Sequence, residues 1–430
     1  MKHFALAICS SVAMLGGAEA LKAQELASGI YEINDRLAPK NSPVFVLPTP
    51  PGAIEGGVRV GGTLVRPSVD LGAVLNSNVK AAPTPNKIAG GGRVTPQITV
   101  QSTNKDGLVW NAFAKGNYVA YANSAVDNIA EASGGVAVSD QVRQDLLLRA
   151  GFQVGRYTED RALTFAPRDL RSPVKYNRAA GSVAADYTPG KLAVAIRYRA
   201  FRFEYEDNQR ALAPGGVASQ RLRTSFNQNA EATIGYQITP DVFVFAGGQY
   251  NTINYDLDPT GLRDSHGYAA YGGARINITP VLRATMAVGY QKQYHSPVFV
   301  NPRGLFYDGE LEWSPRRDTI FGMRLRRLIV DSDALLSGGV VQTRIEASVA
   351  HDFRRDVRVK AFVRHDTSRI ATISQTDKRW IAAAEIWYYM TPRVSFYVLG
   401  SGLAATPVAL AGTSQEYGRA IIESGIRFAY

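Results

Sequence analysis

Cysteine is nearly absent from this chain of 430 residues: it occurs once, as Cys9. Cys9 lies in the apolar stretch near the start of the chain, which reads as a cleaved export signal, so the mature protein would have no thiol. Disulfide bonds, a cysteine-based zinc site and a cysteine nucleophile are therefore excluded. The 5 histidines are scattered, with no pair at metal-ligand spacing. We expect neither a metal site nor a cofactor.

A long apolar run is also missing once the first 23 residues are set aside. The nearest candidate, residues 388–410, is interrupted by the Thr-Pro-Arg of 391–393 and by Gly400 and Gly402. A helix that crosses a membrane needs roughly 20 consecutive apolar residues. The mean hydropathy of −0.13 is average for a protein. The sequence therefore disfavours a helical inner-membrane protein.

Three segments of the chain differ in composition and in hydrophobic pattern. Residues 1–23 predict a signal peptide, with a basic start, an apolar run and a small-x-small cleavage site at residues 18–20. Residues 24–56 are rich in proline and predict a periplasmic N-terminal segment, because proline removes strand donors. This segment could be a mobile leader or could dock inside a pore. Residues 57–430 keep the same alternating pattern to the end and predict one barrel.

The formal net charge is +11. A basic chain can have nucleic acid, an acidic membrane surface or an anionic solute as its partner. Export from the cytoplasm disfavours nucleic acid, and we expect no nucleic-acid partner. The charges are spread along the chain, as they are in a solvated lining of mixed sign.

From residue 57 onward, segments of roughly ten residues alternate apolar with polar or small side chains. Short turns and longer polar loops separate them in alternation, which is typical of a membrane β-barrel with a short-turn periplasmic side. Turns recur once per hairpin, and most contain proline, which fixes φ and blocks further pairing. They lie at 188–190, 239–241, 279–280, 314–318, 353–356 and 391–393.

The predicted fold is an all-β, transmembrane, antiparallel up-and-down barrel of about 18 strands, with 16 as the alternative. An even count places both ends of the barrel on the periplasmic side. The predicted strands are 63–76, 92–103, 108–121, 138–157, 161–171, 178–187, 191–205, 221–237, 242–254, 266–278, 281–294, 303–314, 319–330, 340–353, 357–368, 378–390, 394–403 and 417–430.

Side-chain parity along these strands assigns charged residues to the lumen. The basic candidates are Lys115, Arg149, Arg197, Arg199, Arg275, Arg283, Arg324, Arg326, Arg344, Arg358, Lys360, Arg364 and Arg427. The acidic candidates are Asp70, Asp145, Glu231, Asp308, Glu310, Glu312, Glu346, Glu385 and Glu423. Rings of arginine and lysine select anions in pores. The same residues could instead form a mesh of salt bridges that braces the wall, and both interpretations stay open.

Aromatic residues fall into two groups. One group precedes the short turns: Tyr187, Tyr236, Trp313, Phe353 and Tyr388. The other borders the long loops: Tyr118, Tyr205, Tyr250, Tyr268, Tyr290 and Trp380. Two such bands fit interfacial girdles, although β-propensity alone also favours aromatic residues in strands.

The last strand has one face made of Ala420, Ile422, Ser424, Ile426, Phe428 and Tyr430. An aromatic residue at the final position is common in outer-membrane barrels. We expect Ile426, Phe428 and Tyr430 to serve as the signal that the barrel-assembly machinery reads.

The start of the barrel is familiar. Residues 57–61 (GVRVG), 64–70 (LVRPSVD) and 76–79 (NSNV) resemble the opening strand of the outer-membrane β-barrel porin family, type 2. The residues from Tyr250 to Asp258 are similar to that family's polar loop after a central strand. The resemblance implies a signal peptide, a short periplasmic leader and one barrel. It also implies a role in exopolysaccharide export, because genes of the family often lie with surface-polysaccharide loci.

We therefore expect an exported outer-membrane protein that forms a passive pore or conduit, with a possible link to surface-polysaccharide export. The alternative is a plugged structural or adhesive barrel that anchors surface polymer. Expected partners are outer-membrane lipid and lipopolysaccharide, the assembly machinery, and polysaccharide or small anionic solutes.

An enzyme is a third possibility, which we do not expect. Ser265-His266 and His295-Ser296 are neighbours in sequence, but neighbours on a strand point to opposite faces and form no dyad. Asp308, Glu310 and Glu312 share one face and could act as a glycosidase pair. The preferred interpretation of these carboxylates is lumen charge balanced by Arg324 and Arg326 on the next strand.

Overall fold

A computed structural model describes residues 56–82, 88–103, 107–162, 170–209, 217–258, 262–296, 299–330, 339–370, 376–406 and 416–430. The predicted signal peptide, residues 1–23, lies outside these ranges, as does the predicted N-terminal segment except for Gly56. Within them, no helix is long and apolar enough to cross a membrane.

Eighteen antiparallel strands form a closed barrel, which confirms the predicted fold. The strands are β1 Thr63–Asn76, β2 Ala89–Ser102, β3 Leu108–Tyr121, β4 Ile129–Arg143, β5 Leu146–Thr158, β6 Lys175–Tyr187, β7 Leu192–Tyr205, β8 Ser225–Thr239, β9 Val242–Tyr255, β10 Ser265–Thr279, β11 Leu282–Tyr294, β12 Arg303–Arg316, β13 Thr319–Val330, β14 Val340–Arg354, β15 Val357–Ile370, β16 Thr376–Thr391, β17 Val394–Thr406 and β18 Tyr417–Ala429. Each pairs with the next, and β1 closes the barrel on β18 from Ser68↔Ala429 to Asn76↔Ile421.

The two ends of the barrel differ. At one end, here called the turn end, strands are joined by connections such as Pro240-Asp241 and Arg355-Asp356. The other end, called the loop end, has the longer connections, for example the one from Tyr205 to Ser225. Gly56 and Tyr430 both lie at the turn end, close enough that a Cβ on Gly56 would come within 2.9 Å of the Tyr430 carbonyl carbon.

Strict alternation of side chains explains why these sequences form a barrel wall. In β16 the exposed and buried positions alternate from Thr376 to Met390 without a break. Trp380, Ile386 and Tyr388 face outward, whereas Arg379 and Glu385 are buried on the inner face. An apolar outside and a polar inside are what a strand between lipid and a lumen requires.

Two of the predicted strands are wrong. The run 138–157 is two strands, β4 and β5, joined at Gln144-Asp145. This turn contains neither proline nor glycine, so the signal used for the other turns was missing. The run 161–171 is no barrel strand: residues 161–162 and 170–171 belong to the connection between β5 and β6, and 163–169 lie outside the described residues. The two errors cancelled in the predicted count.

Proline interrupts one ladder inside the barrel. The pairing of β2 with β3 passes from Val94↔Tyr118 directly to Gln97↔Lys115, and Pro96 lies in the gap. Proline has no N–H to donate, so the ladder cannot continue through it. Gly116 lies opposite, and a Cβ there would stand 3.2 Å from the Pro96 ring. The glycine therefore makes room for the ring in the neighbouring strand.

A short strand, Val58–Val60, pairs with the start of β1 and continues the line of β18 beyond its end. Gly57 and Gly61 have φ of 142° and 58°, values that favour glycine, and they flank this strand. The Tyr430 amide donates to the Pro67 carbonyl (3.1 Å), which fixes the end of β18 on β1. Phe428 and Tyr430 are exposed on the outer face and Ile426 is half-buried on the same face.

The aromatic residues of the predicted bands face outward with one exception. Those before the turns, Tyr187, Tyr236, Trp313, Phe353 and Tyr388, are all exposed. Near the loop end, Tyr118, Tyr250, Tyr268, Tyr290 and Trp380 are exposed as well. Tyr205 was placed wrongly: it packs on the inner side against Leu170 and Val174. Its aromatic ring therefore packs against the connection between β5 and β6 and is not part of the outer aromatic girdle.

Candidate functional site: the inner wall and the inward loop

Charge on the inner faces of the 18 strands is of both signs, with the basic side chains in excess. The 18 basic residues are Arg66, Arg93, Lys115, Arg149, Arg178, Arg197, Arg199, Arg275, Arg283, Arg324, Arg326, Arg344, Arg358, Lys360, Arg364, Arg379, Arg419 and Arg427. The 13 acidic residues are Asp70, Glu131, Asp186, Glu231, Asp308, Glu310, Glu312, Glu346, Asp352, Asp366, Asp377, Glu385 and Glu423. The predicted candidate Asp145 is not among them, because it lies in the β4–β5 turn and pairs with Arg143 (3.0 Å).

The densest charge lies on the inner wall from β12 to β16. Successive register pairs there place Asp308, Arg326, Arg344, Asp366 and Arg379 in one cross-strand row. Neighbouring strands are about 4.8 Å apart, so each side chain can reach the next. We call this set the charged row.

Asp308 is buried and holds two arginines of β13. Arg326 donates to it from Nε and Nη2 (3.2 and 3.0 Å), and Arg324 donates from Nη2 (3.4 Å). The ion pairs that the sequence predicted between this carboxylate and Arg324 and Arg326 are therefore present. A carboxylate held in this way is part of the wall, which disfavours its use in a glycosidase pair.

Asp366 plays the same part between β14 and β15. Arg344 Nε donates to its Oδ1 (2.8 Å), and Arg364 Nε lies 3.2 Å from its Oδ2. Arg364 also approaches Glu346 (3.9 Å). All three members of the central group, Arg344, Arg364 and Asp366, are buried. Buried charges persist only when they are paired in this manner, because desolvation of a lone ion is costly.

A second row runs beside the first. Register pairs place Glu310, Arg324, Glu346 and Arg364 side by side on β12 to β15, with signs that alternate strictly. Opposite charges directly across a strand pair attract, and like charges repel. The alternation therefore stabilises this part of the wall and cancels most of its field.

The other predicted lumen residues also lie on the inner face. Arg358 donates to Asp352 (2.6 Å), Lys360 lies 3.6 Å from Glu385, and Arg283 Nε donates to Glu312 (2.8 Å).

Glu231 lies 3.5 Å from Arg197 and accepts a hydrogen bond from the Tyr271 hydroxyl (2.8 Å). Arg275 donates to the Thr285 hydroxyl (3.2 Å), and Arg199 stands opposite Asn229 in the ladder.

The inner wall from β7 to β12 is different, because aromatic rings lie flat on it. Phe243, Phe245, Tyr271 and Phe306 are buried in one cluster with small residues. A Cβ on Gly235 would overlap the Phe243 ring, so that ring covers the glycine of the neighbouring strand. Glycine at this position lets the ring lie against the wall instead of projecting inward.

At the loop end, the connection after β5 turns inward and contacts β18, which lies beyond the junction where β1 pairs with β18. Arg419 on β18 donates to both oxygens of Asp160 (2.5 and 2.6 Å). The Tyr417 hydroxyl donates to the Ala162 carbonyl (2.7 Å), and Ala162 is fully buried against Ile381 and Leu403. Four strands, β1 to β4, separate β5 from β18, so residues 160–162 span part of the mouth. We call residues 159–162 the inward loop.

Charge fixes the inward loop in place. Burial alone would raise the pKa of Asp160, but the facing Arg419 outweighs it and holds that pKa below its usual value. Arg161 donates to buried Asp127 (2.9 Å) on the neighbouring loop. Arg223 on a third loop donates to Glu159 (3.0 Å) and lies 4.1 Å over the Tyr205 ring. The sequence contained no signal for these contacts, which join residues up to 259 positions apart.

The residues considered for a hydrolase do not come together. Ser265 is buried on the inner face and accepts a hydrogen bond from Gln293 (3.0 Å), whereas His266 faces outward and stacks on Tyr294. His295 is half-buried in the loop that follows, and this burial, with a smaller effect of His266, lowers its pKa to about 4. The neighbouring pairs therefore form no Ser-His dyad.

The closed barrel, its apolar outer surface and its charged inner wall define an outer-membrane β-barrel of porin type. The family model described as "Putative beta-barrel porin 2" matches residues 51–408, and the chain belongs to this family. This agrees with the resemblance noted at the start of the barrel.

Solved structures similar to this chain include a siderophore receptor, PirA, from Pseudomonas aeruginosa (TM-score 0.42, 10% identity, 85% of this chain and 80% of the other). They also include the copper transporter OprC (TM-score 0.47, 9% identity, 87% and 82%) and a bacterial polysaccharide outer-membrane secretin (TM-score 0.38, 9% identity, 85% and 98%). No curated protein matches the chain in sequence.

Proposed function

We propose that this barrel is a passive outer-membrane pore for small polar solutes, with a weak preference for anions. The observation that carries the proposal is the composition of the inner wall, where 18 basic side chains face 13 acidic ones. Barrels of ~16–18 strands are wide enough for an aqueous channel, and basic linings favour anions.

The pairing of those charges supports a weak preference and not a strong one. Asp308 and Asp366 each hold two arginines, and the second row alternates in sign. Paired charges cancel at a distance, so the excess that a passing solute meets is small compared with the number of arginines. The inward loop narrows the mouth at the loop end and would set the size limit.

Solute flux into vesicles tests the proposal. The full chain purified from outer membranes is reconstituted into liposomes, and swelling is compared for glucose, gluconate and glucosamine, which are similar in size and differ in charge. We expect swelling with all three, fastest with gluconate and slowest with glucosamine. Correctly folded barrels that give no swelling would overturn the pore and favour the plugged structural barrel. Swelling fastest with glucosamine would overturn the anion preference.

The expected link with polysaccharide export, the assembly signal at the C-terminus and the signal peptide stay predictions. Under the proposal, the half-buried side chains Arg199, Lys360, Glu310 and Glu346 line the solute path. The other predicted pore residues, Arg197, Arg275, Arg283, Arg344, Arg358 and Glu231, are buried in the wall behind them.

A further inference from the structure

The outer face of β11 to β16 carries positive charge close to the loop end. Most of this face is apolar, with Ile345, Val363 and Ile386 exposed toward lipid. Nearer the loop end, Arg327, Arg369 and Lys378 replace the apolar residues at outward positions, and Arg303 and Lys292 do so on the two strands that precede β13. We call Arg327, Arg369 and Lys378 the outer basic patch.

The register brings the three members of the outer basic patch together. Arg327 stands opposite Thr343, Thr343 opposite Thr367, and Thr367 opposite Lys378, so these four form one cross-strand row. Arg369 pairs with Thr376 and is the diagonal neighbour of Lys378. With strands about 4.8 Å apart, the patch is about 14 Å wide. Two threonine hydroxyls lie inside it, and Thr343 accepts a hydrogen bond from Arg327 (3.3 Å).

No carboxylate accompanies the outer basic patch. The outward positions of β11 to β16, all within the described residues, include neither aspartate nor glutamate. Among the described residues, none of the three cations lies within salt-bridge distance of an acid. Other exterior arginines do have partners: Arg156 lies 2.7 Å from Glu206, and Arg202 donates to Asp256 (2.7 Å).

A cation on the lipid face is unfavourable unless it lies at the interface. The cost is largest at the bilayer midplane and falls to little or nothing near the headgroups. Trp380, next to the patch, is 56% exposed and packs at a tilt against His365 (centroids 4.3 Å apart), as expected of an aromatic ring at the headgroup level. The three cations also repel one another, so the patch favours an anion at that level.

We propose that the outer basic patch binds the phosphate groups of an anionic lipid in the leaflet at the loop end. Arginine matches a phosphate with two parallel hydrogen bonds, lysine adds a point charge, and the threonine hydroxyls can donate further bonds. Basic pockets on membrane proteins bind lipid headgroups in this way. The proposal needs the barrel in its membrane and does not depend on whether its lumen conducts.

Native mass spectrometry of the full chain, purified and delipidated, tests the site. The probe is bis-phosphorylated lipid A, with its dephosphorylated form and inorganic phosphate as the other arms. The variant Arg327→Gln/Arg369→Gln/Lys378→Gln is expected to bind lipid A at least tenfold more weakly than the native chain. A third exterior arginine with a partner is Arg221, which lies 3.5 Å from Asp207. The control Arg156→Gln/Arg202→Gln/Arg221→Gln removes the same charge from paired exterior arginines and should stay within twofold.

Several outcomes would overturn the proposal. Equal binding by the triple variant and the native chain is one, and equal binding of the dephosphorylated lipid is another. Displacement of the lipid by micromolar inorganic phosphate would show a site for free phosphate and not for lipid. If the triple variant fails to fold, judged by its shift on heating in gel electrophoresis, Lys378→Gln alone replaces it. A loss of at least threefold is then expected, and no loss counts against the site.

Discussion

Strands β12 to β16 carry arginine on both faces, and the two faces differ in what accompanies it. On the inner face, Arg344 and Arg364 meet Asp366, and Arg326 meets Asp308. On the outer face of the same strands, Arg327 and Arg369 lie beside threonine hydroxyls, apolar side chains and Lys378, and no carboxylate lies opposite them. Arg326 and Arg327 are consecutive in the sequence, yet Arg326 is part of the ion-pair mesh of the inner wall and Arg327 faces lipid.

The comparison separates two uses of the same side chain. Charges that must stay buried in a wall are matched within the chain, because an unmatched buried ion is strongly destabilising. Charges that lie at a membrane interface can be left for a ligand to match, because water and headgroups reduce their cost. The missing carboxylate on the outer face therefore indicates a ligand, whereas the arginines inside indicate a stable wall with a weak residual field.

The largest effect should come from breaking the inner mesh. Asp366→Asn removes the shared partner of Arg344 and Arg364, and we expect the free energy of unfolding to fall by about 3–5 kcal/mol. Urea unfolding of the barrel in lipid vesicles measures it. Asp356→Asn, in the turn that precedes the same strand, removes a carboxylate outside the mesh; it is the control and should change it by less than about 0.5 kcal/mol. A loss below about 1 kcal/mol for Asp366→Asn would mean that the mesh is not what stabilises this wall.

Releasing the inward loop should have a smaller effect on stability but a visible effect on conduction. Asp160→Asn removes charge-assisted hydrogen bonds with Arg419, each worth about 1.5–3 kcal/mol. We expect the released loop to be populated at least tenfold more often, seen as new transitions in single-channel recordings. Asp207→Asn, an exposed loop carboxylate beside Arg221, is the matched control. Identical recordings from the Asp160 variant and the native chain would show that this loop does not limit conduction.

The pH dependence of the inward loop follows from the lowered pKa of Asp160. A carboxylate whose pKa is lowered in the folded protein stabilises it at every pH above the unfolded value, and the contribution is lost as pH falls through the folded value. The unfolded value is 3.8. Recordings should therefore be alike at pH 7 and pH 5, and release should begin only below about pH 4. Release of the loop between pH 7 and pH 5 would contradict the pairing.

Adding a carboxylate beside the outer basic patch should weaken its binding of lipid phosphate. Thr367→Glu places a carboxylate opposite Lys378. We expect it to compete with lipid phosphate and to weaken lipid A binding about fivefold, which corresponds to about 1 kcal/mol. Thr376→Glu, opposite Arg369, should act in the same direction, whereas Thr239→Glu at the turn end should have no effect. Tighter lipid binding by Thr367→Glu would contradict a phosphate site.

The smallest effect is expected for an exterior arginine that already has a partner. Arg202→Gln breaks an exposed pair with Asp256, and such pairs contribute about 0.2–1 kcal/mol. Unfolding by urea should shift within that range, and lipid A binding should be unchanged. A loss of lipid binding as large as that of the triple variant would show that exterior charge in general, and not the outer basic patch, holds the lipid.

Sequence patterns predicted much of the wall because period-2 alternation and turn chemistry are local. The face of Glu346, Arg344 and their neighbours follows from parity, and the turns at Pro240 and Pro392 follow from proline. The turn at Gln144-Asp145 contains neither proline nor glycine, and its one turn-forming residue, Asp145, also fits the polar positions of a strand, so the run 138–157 was predicted as one strand. The same parity that puts Arg326 inside puts Arg327 outside, so the outward position of each member of the outer basic patch follows from the sequence, but the register that brings the three together does not.

Contacts between distant segments could not be predicted in this way. The match of Arg344 with Asp366 requires the register of β14 on β15, which parity alone does not fix. The fastening of Asp160 to Arg419 joins the β5–β6 connection to the last strand, and no local pattern specifies it. Both contacts depend on how the strands pair in the closed barrel, whereas the sequence predicts only how many strands there are.

The reversal potential of single channels tests the central claim most directly, namely that the inner wall is a paired mesh with a small basic excess. The full chain is inserted into a planar bilayer with a tenfold gradient of KCl. We predict discrete conductance steps and a small reversal potential with the sign of chloride preference. A reversal potential with the sign of potassium preference, or no steps from folded barrels, would contradict the account.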